Sequence, residues 1–397
     1  MKDRKRKIKL LAGLLAAALL LGLGGCGSRT EEELVLRIGI FEPLTGGNAA
    51  FGTAEMLGIE YAHSQTPTIT VGGKTYDIEL VTADNAASTP KDAAQALVDA
   101  GVSVVLGSYG NEASSIGGRV FGAEGIAIIG ITCTAAGLTA NNDYFFRVCS
   151  RPSAQASALG VYAHDRLDAE SAFCISVNGD EDAVTMANAF AIAFHNQGGN
   201  VFMDEVSAVQ PDLVTSLVRA EDKGADVIFA PLPADQAAQL AALSRSLGLQ
   251  MDIVGPDRLD NHQLLEIPVD EQSDAPAIRI YASTFYTAGG SSAFDDGLRR
   301  YVGFNTRLDP AEQDPVSAAA ALGYDAYQIA LKAVTAAKSV YKADILAVMP
   351  SIVHTGITGT ISFTDNGDAI RDAVFVKRAD YVNGQWRLDK RQTIPES

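Results

Sequence analysis

The segment GIFEPLTGGNAAFGT, residues 39–53, links the first strand-like run of the chain to an amphipathic helix through a proline and three glycines. A strand, a glycine-rich turn and a helix form the layout of a phosphate-binding loop, in which backbone N–H groups hold the anion. A Walker loop ends in Gly-Lys-Ser/Thr, whereas residues 46–53 contain no lysine. A dinucleotide-binding fingerprint requires G-x-G-x-x-G, which the glycines at 46, 47 and 52 do not match. The sequence therefore argues against nucleotide binding.

Residue types that catalyse reactions or bind metals are not grouped in this sequence. The five histidines are scattered, without a His-Glu-x-x-His or His-x-His pair, and the chain has no G-x-S-x-G elbow. The acidic run at 180–182 is typical of a solvated loop. Cysteines without C-x-x-C spacing in or beside apolar runs favour buried free thiols over a disulfide framework or a zinc site. These cysteines are Cys133, Cys149 and Cys174. We therefore expect no enzyme activity, no cofactor and no bound metal.

The first 26 residues form a separate unit. A basic start, MKDRKRKIK, precedes sixteen uncharged residues that end at Gly25. This apolar run is short for a membrane span, which needs about 20 residues, but is typical of a signal-peptide core. The following LGGC resembles a bacterial lipoprotein signal, in which Cys26 receives a diacylglyceryl group and becomes the N-terminus. We expect a signal peptide at 1–25 and a lipid-anchored tether at 26–33. A plain secretory signal or an uncleaved anchor is the alternative.

Length and charge limit the possible functions. The chain has 397 residues and a formal net charge of −17, and 47% of its residues are hydrophobic. This length predicts two or three domains with large buried cores. The acidic surface argues against nucleic acid as a partner and against broad contact with anionic lipid.

Short apolar runs alternate with helical patterns along most of the chain. The predicted strands are 34–40, 76–83, 102–107, 126–131, 171–177, 200–207, 224–231, 252–256 and 278–285. The predicted helices are 90–100, 154–167, 183–196, 235–247, 291–302 and 316–337. Nearly all-apolar runs such as VSVVLG are expected for strands that helices cover on both faces. The pattern starts again near Pro152, and the C-terminal part contains hairpins with DNGD and NGQ turns. This alternation predicts doubly wound parallel sheets.

Several segments resemble, in order, the branched-chain amino-acid-type (type I) periplasmic binding proteins. RIGIFEPLTGGNAAFGTAEMLGIEYA has the family's strand, P-L-T-G turn, aromatic-Gly pair and helix. It is followed by ELVTADNAASTPKDAAQALVDAGVSVVLGSYGNEAS, GIAIIGITCTAAGLT, YFFRVCSRPSAQ and GITGTISFTDNGD, so the resemblance covers residues 35–385. It implies a Venus-flytrap fold, in which three crossovers join two doubly wound α/β lobes that close around a ligand. The expected lobe 1 is 34–150 plus 284–358, and the expected lobe 2 is 151–283 plus 359–397.

The resemblance implies ligand contacts in the first lobe. The residue four after Gly107 corresponds to the position that binds the ligand α-carboxylate; here it is Asn111, where serine is usual. Tyr109 and Gly110 belong to the same turn. The side-chain amide of Asn111 can still donate, and a helix start favours an anion.

Further contacts in this lobe follow from GITCTAAGLT and from the opening loop. The family's ligand pair falls on Cys133, through its carbonyl, and on Thr134, through its hydroxyl and amide. Phe51 falls where the family places an aromatic residue against the ligand side chain. The alternatives are helix capping for Asn111 and Thr134, and core packing for Phe51.

In the second lobe the resemblance is weaker. The acid that binds the ligand ammonium corresponds to Asp257 in the G-P-D turn. The usual aromatic residues are replaced by Asp182 and, near Leu232, by Pro233, and Pro152 stands where an aspartate is common. Asp182 would favour a polar or cationic ligand side chain.

Together these features predict a lipoprotein on the extracytoplasmic face of the cell membrane that binds an amino acid for an ABC importer, with permease and ATPase subunits as partners. The alternatives are a receptor for another small solute (an amide, urea or an aromatic acid), a sensory lipoprotein, or a secreted hydrolase.

Overall fold

The computed structural model of this chain describes residues 34–260, 262–266, 279–305, 314–381 and 383–395. The predicted signal peptide and tether, with the predicted lipidation site Cys26, lie outside these residues. Within the described part of the chain, no helix is both long and apolar enough to cross a membrane.

The N-terminal part of the described chain forms a six-stranded sheet. In spatial order its strands are β2 (Thr68–Val71), β3 (Lys74–Asp84), β1 (Val35–Glu42), β4 (Val104–Leu106), β5 (Ala127–Gly130) and β6 (Phe145–Arg147). Strands β1, β4, β5 and β6 are parallel neighbours, and β2 and β3 form an antiparallel hairpin at one edge. The helices along this stretch are α1 (Ala49–Gln65), α2 (Pro90–Asp99) and α3 (Asn111–Ala123).

The central part of the chain builds a seven-stranded sheet. Its spatial order is β16 (Gln385–Thr393), β15 (Ala373–Asp380), β11 (Ile280–Thr284), β10 (Asp252–Gly255), β9 (Val227–Phe229), β7 (Ser171–Val177) and β8 (Asn200–Val206). Strands β7 to β11 are parallel, and β15 and β16 add an antiparallel pair. Its helices are α4 (Pro152–Leu167), α5 (Glu181–Asn196), α6 (Leu213–Asp222) and α7 (Ala234–Ser246).

The remaining elements belong with the first sheet. They are α8 (Ser292–Asn305), α9 (Ala318–Ala337), α10 (Lys342–Val348) and the small antiparallel sheet of β12 (His354–Gly356), β13 (Gly359–Phe363) and β14 (Ala369–Arg371). Tyr327 of α9 and Ile361 and Phe363 of β13 share one buried cluster with Ile38 of β1.

Both large sheets are buried on their two faces. Ile38 and Leu106 face the α9 side of the first sheet, whereas Val105 lies in a second cluster with Phe121 of α3. The second sheet has the same arrangement, with separate clusters around α6 and α7 and around α4 and α5. Two-sided burial explains why these strands are almost entirely apolar. The prediction of two doubly wound α/β lobes is confirmed.

The chain passes between the two sheets three times, after β6, after β11 and after β14. The predicted hairpins are also present, because β13 pairs with β14 and β15 with β16. The exact lobe limits stay a prediction. The packing of Ile361 and Phe363 on the first core favours a third crossing near residue 372 instead of the expected 358.

Arg371 touches all three connections. Its Nη1 donates to the carbonyl of Val148 (2.6 Å) in the first connection, and its Nη2 donates to the carbonyl of Thr358 (2.5 Å). Its guanidinium carbon lies 5.8 Å from the ring centre of Phe285 in the second connection. Arg371 itself ends β14, where the third connection begins. The guanidinium is buried, and burial lowers its pKa from the ordinary arginine value. One buried cation therefore contacts all three segments that connect the two lobes.

Candidate functional site

The candidate site begins where the parallel strands of the first sheet end. The loops after β1, β4 and β5 meet at one edge because these strands are parallel neighbours. The first loop requires a close backbone approach, since a Cβ at Gly52 would lie 2.4 Å from the carbonyl oxygen of Pro43. This glycine therefore permits the sharp turn from β1 into α1, a role different from holding a phosphate.

Two aromatic rings join the first two loops. Phe51, near the start of α1, stacks on Tyr109, with ring centres 4.4 Å apart and planes 5° from parallel. Phe51 is 49% exposed, so it is not a core residue. An exposed aromatic face beside three loop ends is suited to contact an apolar or aromatic group of a ligand.

Helix α3 starts beside this pair. Gly110 is the N-cap residue with φ of 96°, and as a glycine it has no side chain that could cap α3. Asn111 is the first helical residue. The Oδ1 atom of Asn111 accepts a hydrogen bond from the amide of Ala135 (3.1 Å), which ties α3 to the loop after β5. Asn111 is therefore not a capping residue. The side-chain NH₂ group and the helix start both offer donors to an anion.

Arg147 fixes the loop after β5 through hydrogen bonds to its backbone. Its Nη1 donates to the carbonyls of Cys133 (3.3 Å) and Ala135 (3.0 Å), and its Nε donates to Asp368 (2.8 Å). The Cys133 carbonyl also accepts from the thiol of Cys149 (3.2 Å). Both lone pairs of that carbonyl are thus engaged within the protein. This argues against the expected role of Cys133 as a ligand for an ammonium group. Thr134 lies between the two fixed carbonyls and is half-buried.

Sequence reasoning missed two buried acids beneath these loops. Glu42 ends β1 and Glu55 lies in α1, and both side chains are fully buried. Glu42 Oε2 accepts the backbone N–H of Tyr109 (2.9 Å), and Glu55 Oε1 accepts the hydroxyl of Thr132. Burial, with the contribution of the neighbouring Glu55, raises the pKa of Glu42; burial also raises the pKa of Glu55. The sequence did contain one sign of a buried acid, because Glu55 occupies a position in the otherwise uncharged i, i+3, i+4 stripe that α1 buries.

In the second lobe an ion-pair network surrounds Asp182. Arg258 donates to Asp180 (2.6 Å) and lies 3.9 Å from the Asp182 carboxylate. Asp180 also caps α5 by accepting the amide of Ala183 (3.0 Å). Against the opposing effect of burial, the hydrogen bond from Arg258 and then this cap lower the pKa of Asp180. Asp182 is half-exposed and is already paired with a cation. Its negative charge is therefore partly compensated before any ligand binds.

Asp257 follows β10 next to Arg258. Its amide donates to the side-chain oxygen of Gln155 (3.3 Å), a buried residue of α4 that also accepts the hydroxyl of Ser283 (2.8 Å). Burial raises the pKa of the Asp257 carboxyl, against the opposing effects of Gln155 and Arg258. Pro233 stands exposed at the N-cap position of α7.

The predicted residues thus form two groups. In the first lobe, direct contacts connect Phe51 with Tyr109 and Asn111 with the loop that carries Thr134. In the second lobe, Arg258 connects Asp182 with the turn of Asp257. Pro233 also lies after a strand, between β9 and α7. Among the described residues, however, no contact links its side chain to either group. The three predicted free thiols are buried and unpaired as disulfides.

Comparison with known proteins assigns the family. A model of the periplasmic binding protein family matches residues 35–382. The chain belongs to this family. A Leu/Ile/Val-binding protein homolog of Brucella melitensis is 26% identical over 385 residues, which cover 91% of this chain and 94% of that relative. Members of the family are solute-binding proteins of ABC transporters and not enzymes, so the expectation of no enzyme activity is confirmed. The family is extracytoplasmic.

Solved periplasmic binding proteins share the fold. A branched-chain amino acid transporter substrate-binding protein from Streptococcus pneumoniae, in complex with isoleucine, superposes with a TM-score of 0.65 at 23% identity. The match covers 91% of this chain and 99% of that structure. A solute-binding protein from Rhodopseudomonas palustris, in complex with 3,4-dihydroxybenzoic acid, gives 0.66 at 20% identity, with coverage of 91% and 98%.

Proposed function

We propose that this periplasmic binding protein is a lipid-anchored receptor that binds an α-amino acid between its lobes and delivers it to the permease of an ABC importer. The observation that carries the proposal is the distribution of donors and acceptors over the two lobes. The start of α3, with Asn111, and the loop of Thr134 offer N–H and O–H donors. Asp257 in the second lobe offers a carboxylate. A zwitterion needs donors for its carboxylate and an acceptor for its ammonium, and this arrangement supplies both.

The ligand would hold the lobes together. Contacts with the first lobe alone would bind the open state, and the added contact with Asp257 would stabilise the closed state. Closure would proceed about the three connections that Arg371 joins, as in other hinged binding proteins. The permease and ATPase subunits of the importer would then recognise the closed state.

A second candidate ligand is an aromatic carboxylic acid. The stacked pair of Phe51 and Tyr109 supports it, because a ring can extend the stack at low entropic cost. A relative with this fold binds 3,4-dihydroxybenzoic acid. An aromatic acid has no ammonium, however, and would leave the Asp257 carboxylate without a partner. This is why the amino acid is favoured.

A thermal-shift screen distinguishes the two candidates. A ligand that binds only the folded state raises the melting temperature, and the rise grows with the logarithm of the ligand concentration relative to its Kd. We expect a rise with one or a few of the twenty amino acids, and a smaller or no rise with benzoate and its hydroxylated derivatives. The Asp257→Asn variant should lose the amino-acid response but keep any response to an aromatic acid. A shift with aromatic acids alone would support the second candidate, and no shift with any compound would contradict both.

The lipid anchor has its own test. In bacteria that process lipoproteins, the full chain should partition into the detergent phase, and the Cys26→Ser variant should remain in the aqueous phase after signal cleavage or be retained uncleaved. Mass spectrometry of the N-terminal peptide would detect the diacylglyceryl group on Cys26. An unmodified N-terminal peptide of the wild-type protein would contradict the anchor without affecting the ligand proposal.

A further inference from the structure

In each of the two buried acids of the first lobe, Glu42 and Glu55, only one of the two carboxyl oxygens has a hydrogen-bond donor. The outer oxygens are engaged, Glu42 Oε2 with the amide of Tyr109 and Glu55 Oε1 with the hydroxyl of Thr132. The inner oxygens, Glu42 Oε1 and Glu55 Oε2, are buried and lack a donor. The two carboxyl groups are neighbours, close enough for each to influence the pKa of the other. Two carboxylates cannot hydrogen-bond to each other, because each is only an acceptor.

A single shared proton completes the arrangement. A proton on one of the two unpartnered oxygens would let that carboxyl group donate a hydrogen bond to the other, which would supply the missing donor. The pair carries one negative charge instead of two, which removes the repulsion between buried carboxylates. Gly107 leaves the space that the Glu42 carboxyl group occupies. At its φ of 112° a side chain would be strained, and a Cβ there would stand 2.4 Å from Glu42 Oε1.

The protonated pair connects two loops of the ligand site. On one side it fixes the backbone of Tyr109, whose ring stacks on Phe51 and whose loop leads directly into Asn111. On the other side it fixes Thr132, two residues before Thr134. Thus neither carboxyl group needs to touch the ligand in order to control where ligand-binding groups stand.

We propose that Glu42 and Glu55 are positioning residues for ligand binding, which share one proton and thereby lock the loop of Tyr109 to the loop of Thr132 and Thr134. The loop-locking role rests on the proposed function, whereas the shared proton does not. Removing the proton, or the acceptor for the Tyr109 amide, releases the first loop and lowers ligand affinity.

The surroundings favour the protonated state. Burial raises the pKa of both glutamates, and Glu55 raises that of Glu42 further. Two further titratable groups lie near the pair, Tyr109 and Cys133. Burial and then the charge of Glu55 raise the pKa of Tyr109. The Cys149 contact, burial and then the charge of Glu55 raise the pKa of Cys133, against the opposing charge of Arg147. A phenol and a thiol titrate only between neutral and anionic forms, so neither group supplies a cation that would stabilise a second carboxylate.

Two substitutions of Glu42 separate positioning from simple packing. In Glu42→Gln the amide accepts from Tyr109 and donates to Glu55, so it reproduces the protonated acid. In Glu42→Leu the volume is kept, but the Tyr109 amide loses its acceptor and Glu55 loses its donor. Glu221→Gln, an exposed change in α6, is the charge-matched control.

Three readouts at neutral pH test the proposal. Infrared spectra should contain a protonated-carboxyl absorption in the wild type and in Glu221→Gln that is missing from Glu42→Gln. With isotope-labelled tyrosine, the Tyr109 amide proton resonance should move in Glu42→Leu and stay close to the wild-type position in Glu42→Gln. Calorimetry with L-leucine, or with the amino acid that gives the largest thermal shift, should find affinity lowered about tenfold or more in Glu42→Leu. Glu42→Gln should bind within about threefold of the wild type.

Each of these measurements can contradict one part of the proposal. Absence of the protonated-carboxyl absorption in the wild type overturns the shared proton, and wild-type affinity in a folded Glu42→Leu overturns the positioning role. If Glu42→Leu does not fold, Thr132→Val takes its place, since it removes the other loop contact; unchanged affinity in Thr132→Val then overturns the role. If the wild type binds no amino acid, the proposed function fails, and so does the positioning role that rests on it. The infrared and resonance readouts still decide the shared proton and the fixing of Tyr109.

Discussion

The ring of Phe51 stacks on the ring of Tyr109, with centres 4.4 Å apart and planes 5° from parallel. One ring comes from the helix after β1 and the other from the loop after β4, so the stack joins two elements that converge at the edge of the first sheet. Tyr109 is also fixed through its amide by Glu42. The half-exposed Phe51 therefore rests on a rigid support and presents its other face to the site.

Phe51→Ala tests this surface. Truncation removes ligand contact area at a residue that contributes little to the core, so affinity should fall about tenfold or more. The free energy of unfolding should fall by less than about 1.5 kcal/mol, because only the stack with Tyr109 is lost. Calorimetry and denaturant unfolding measure the two effects. Ile192→Ala, at a 63% exposed position of α5, is the control and should change neither. Unchanged affinity in Phe51→Ala would exclude this face as a ligand surface.

The pH dependence of binding should reflect Asp257. Burial raises the pKa of its carboxyl above the ordinary value of 3.8. An ammonium ligand requires the carboxylate, so affinity should be full above the raised pKa and should be lost as the pH falls through it. Asp257→Asn should bind about 10- to 100-fold more weakly at neutral pH and lose this acidic limb. Calorimetry across the acidic range measures both, with the exposed Asp222→Asn as control. An acidic limb that persists in Asp257→Asn would assign it to another group.

Asp182 should influence which side chain is accepted. The carboxylate lies 3.9 Å from Arg258, so it offers a reduced but still negative surface at the start of α5. Asp182→Ala should lower affinity for arginine and lysine several-fold and change affinity for leucine by less than about twofold. Glu181→Ala, an exposed neighbour, is the matched control. If arginine and lysine bind equally to Asp182→Ala and the wild type, Asp182 does not select for a cationic ligand.

Arg371 should stabilise the connections between the lobes. Arg371→Met removes the donors of the Val148 and Thr358 carbonyls and leaves both buried, which should lower the free energy of unfolding by about 2–4 kcal/mol. Arg391→Met breaks only the exposed pair with Asp372 (2.9 Å) and should cost less than about 1 kcal/mol. Denaturant unfolding of the two variants provides the comparison. Equal losses in both would show that the three connections do not depend on the buried cation.

The architecture followed from the sequence because period and composition are local properties. Apolar runs such as 126–131 lie on strands covered from both sides, and the DNGD turn lies between β13 and β14. The third crossing was harder to locate, since β13 alternates buried and half-exposed residues like any hairpin strand. Whether Ile361 and Phe363 face the first or the second core depends on tertiary packing and not on the local pattern.

The site was predictable only in part. Positions such as Tyr109 and Asp257 closely follow the strands β4 and β10, and strand ends are where α/β proteins bind ligands. The pair of Glu42 and Glu55 depends on how α1 folds back against the end of β1, and the pair of Asp182 and Arg258 joins segments that are distant in sequence. A glutamate is ordinarily solvated, so the position of Glu55 in the buried stripe of α1 was the one sign of a buried acid, and it did not identify the partner. The two donors to the Cys133 carbonyl, Arg147 and the Cys149 thiol, could not be predicted either, because their contacts depend on tertiary packing.

The central claim is that an α-amino acid is recognised through its ammonium by the second lobe. The most direct measurement is calorimetry of the amino acid that gives the largest thermal shift and of its analogue in which hydrogen replaces the ammonium group. The account predicts that the wild type binds the amino acid at least about 30-fold more tightly than the analogue, and that Asp257→Asn binds the two within about threefold of each other. Equal affinities in the wild type, or an undiminished difference in Asp257→Asn, would contradict it.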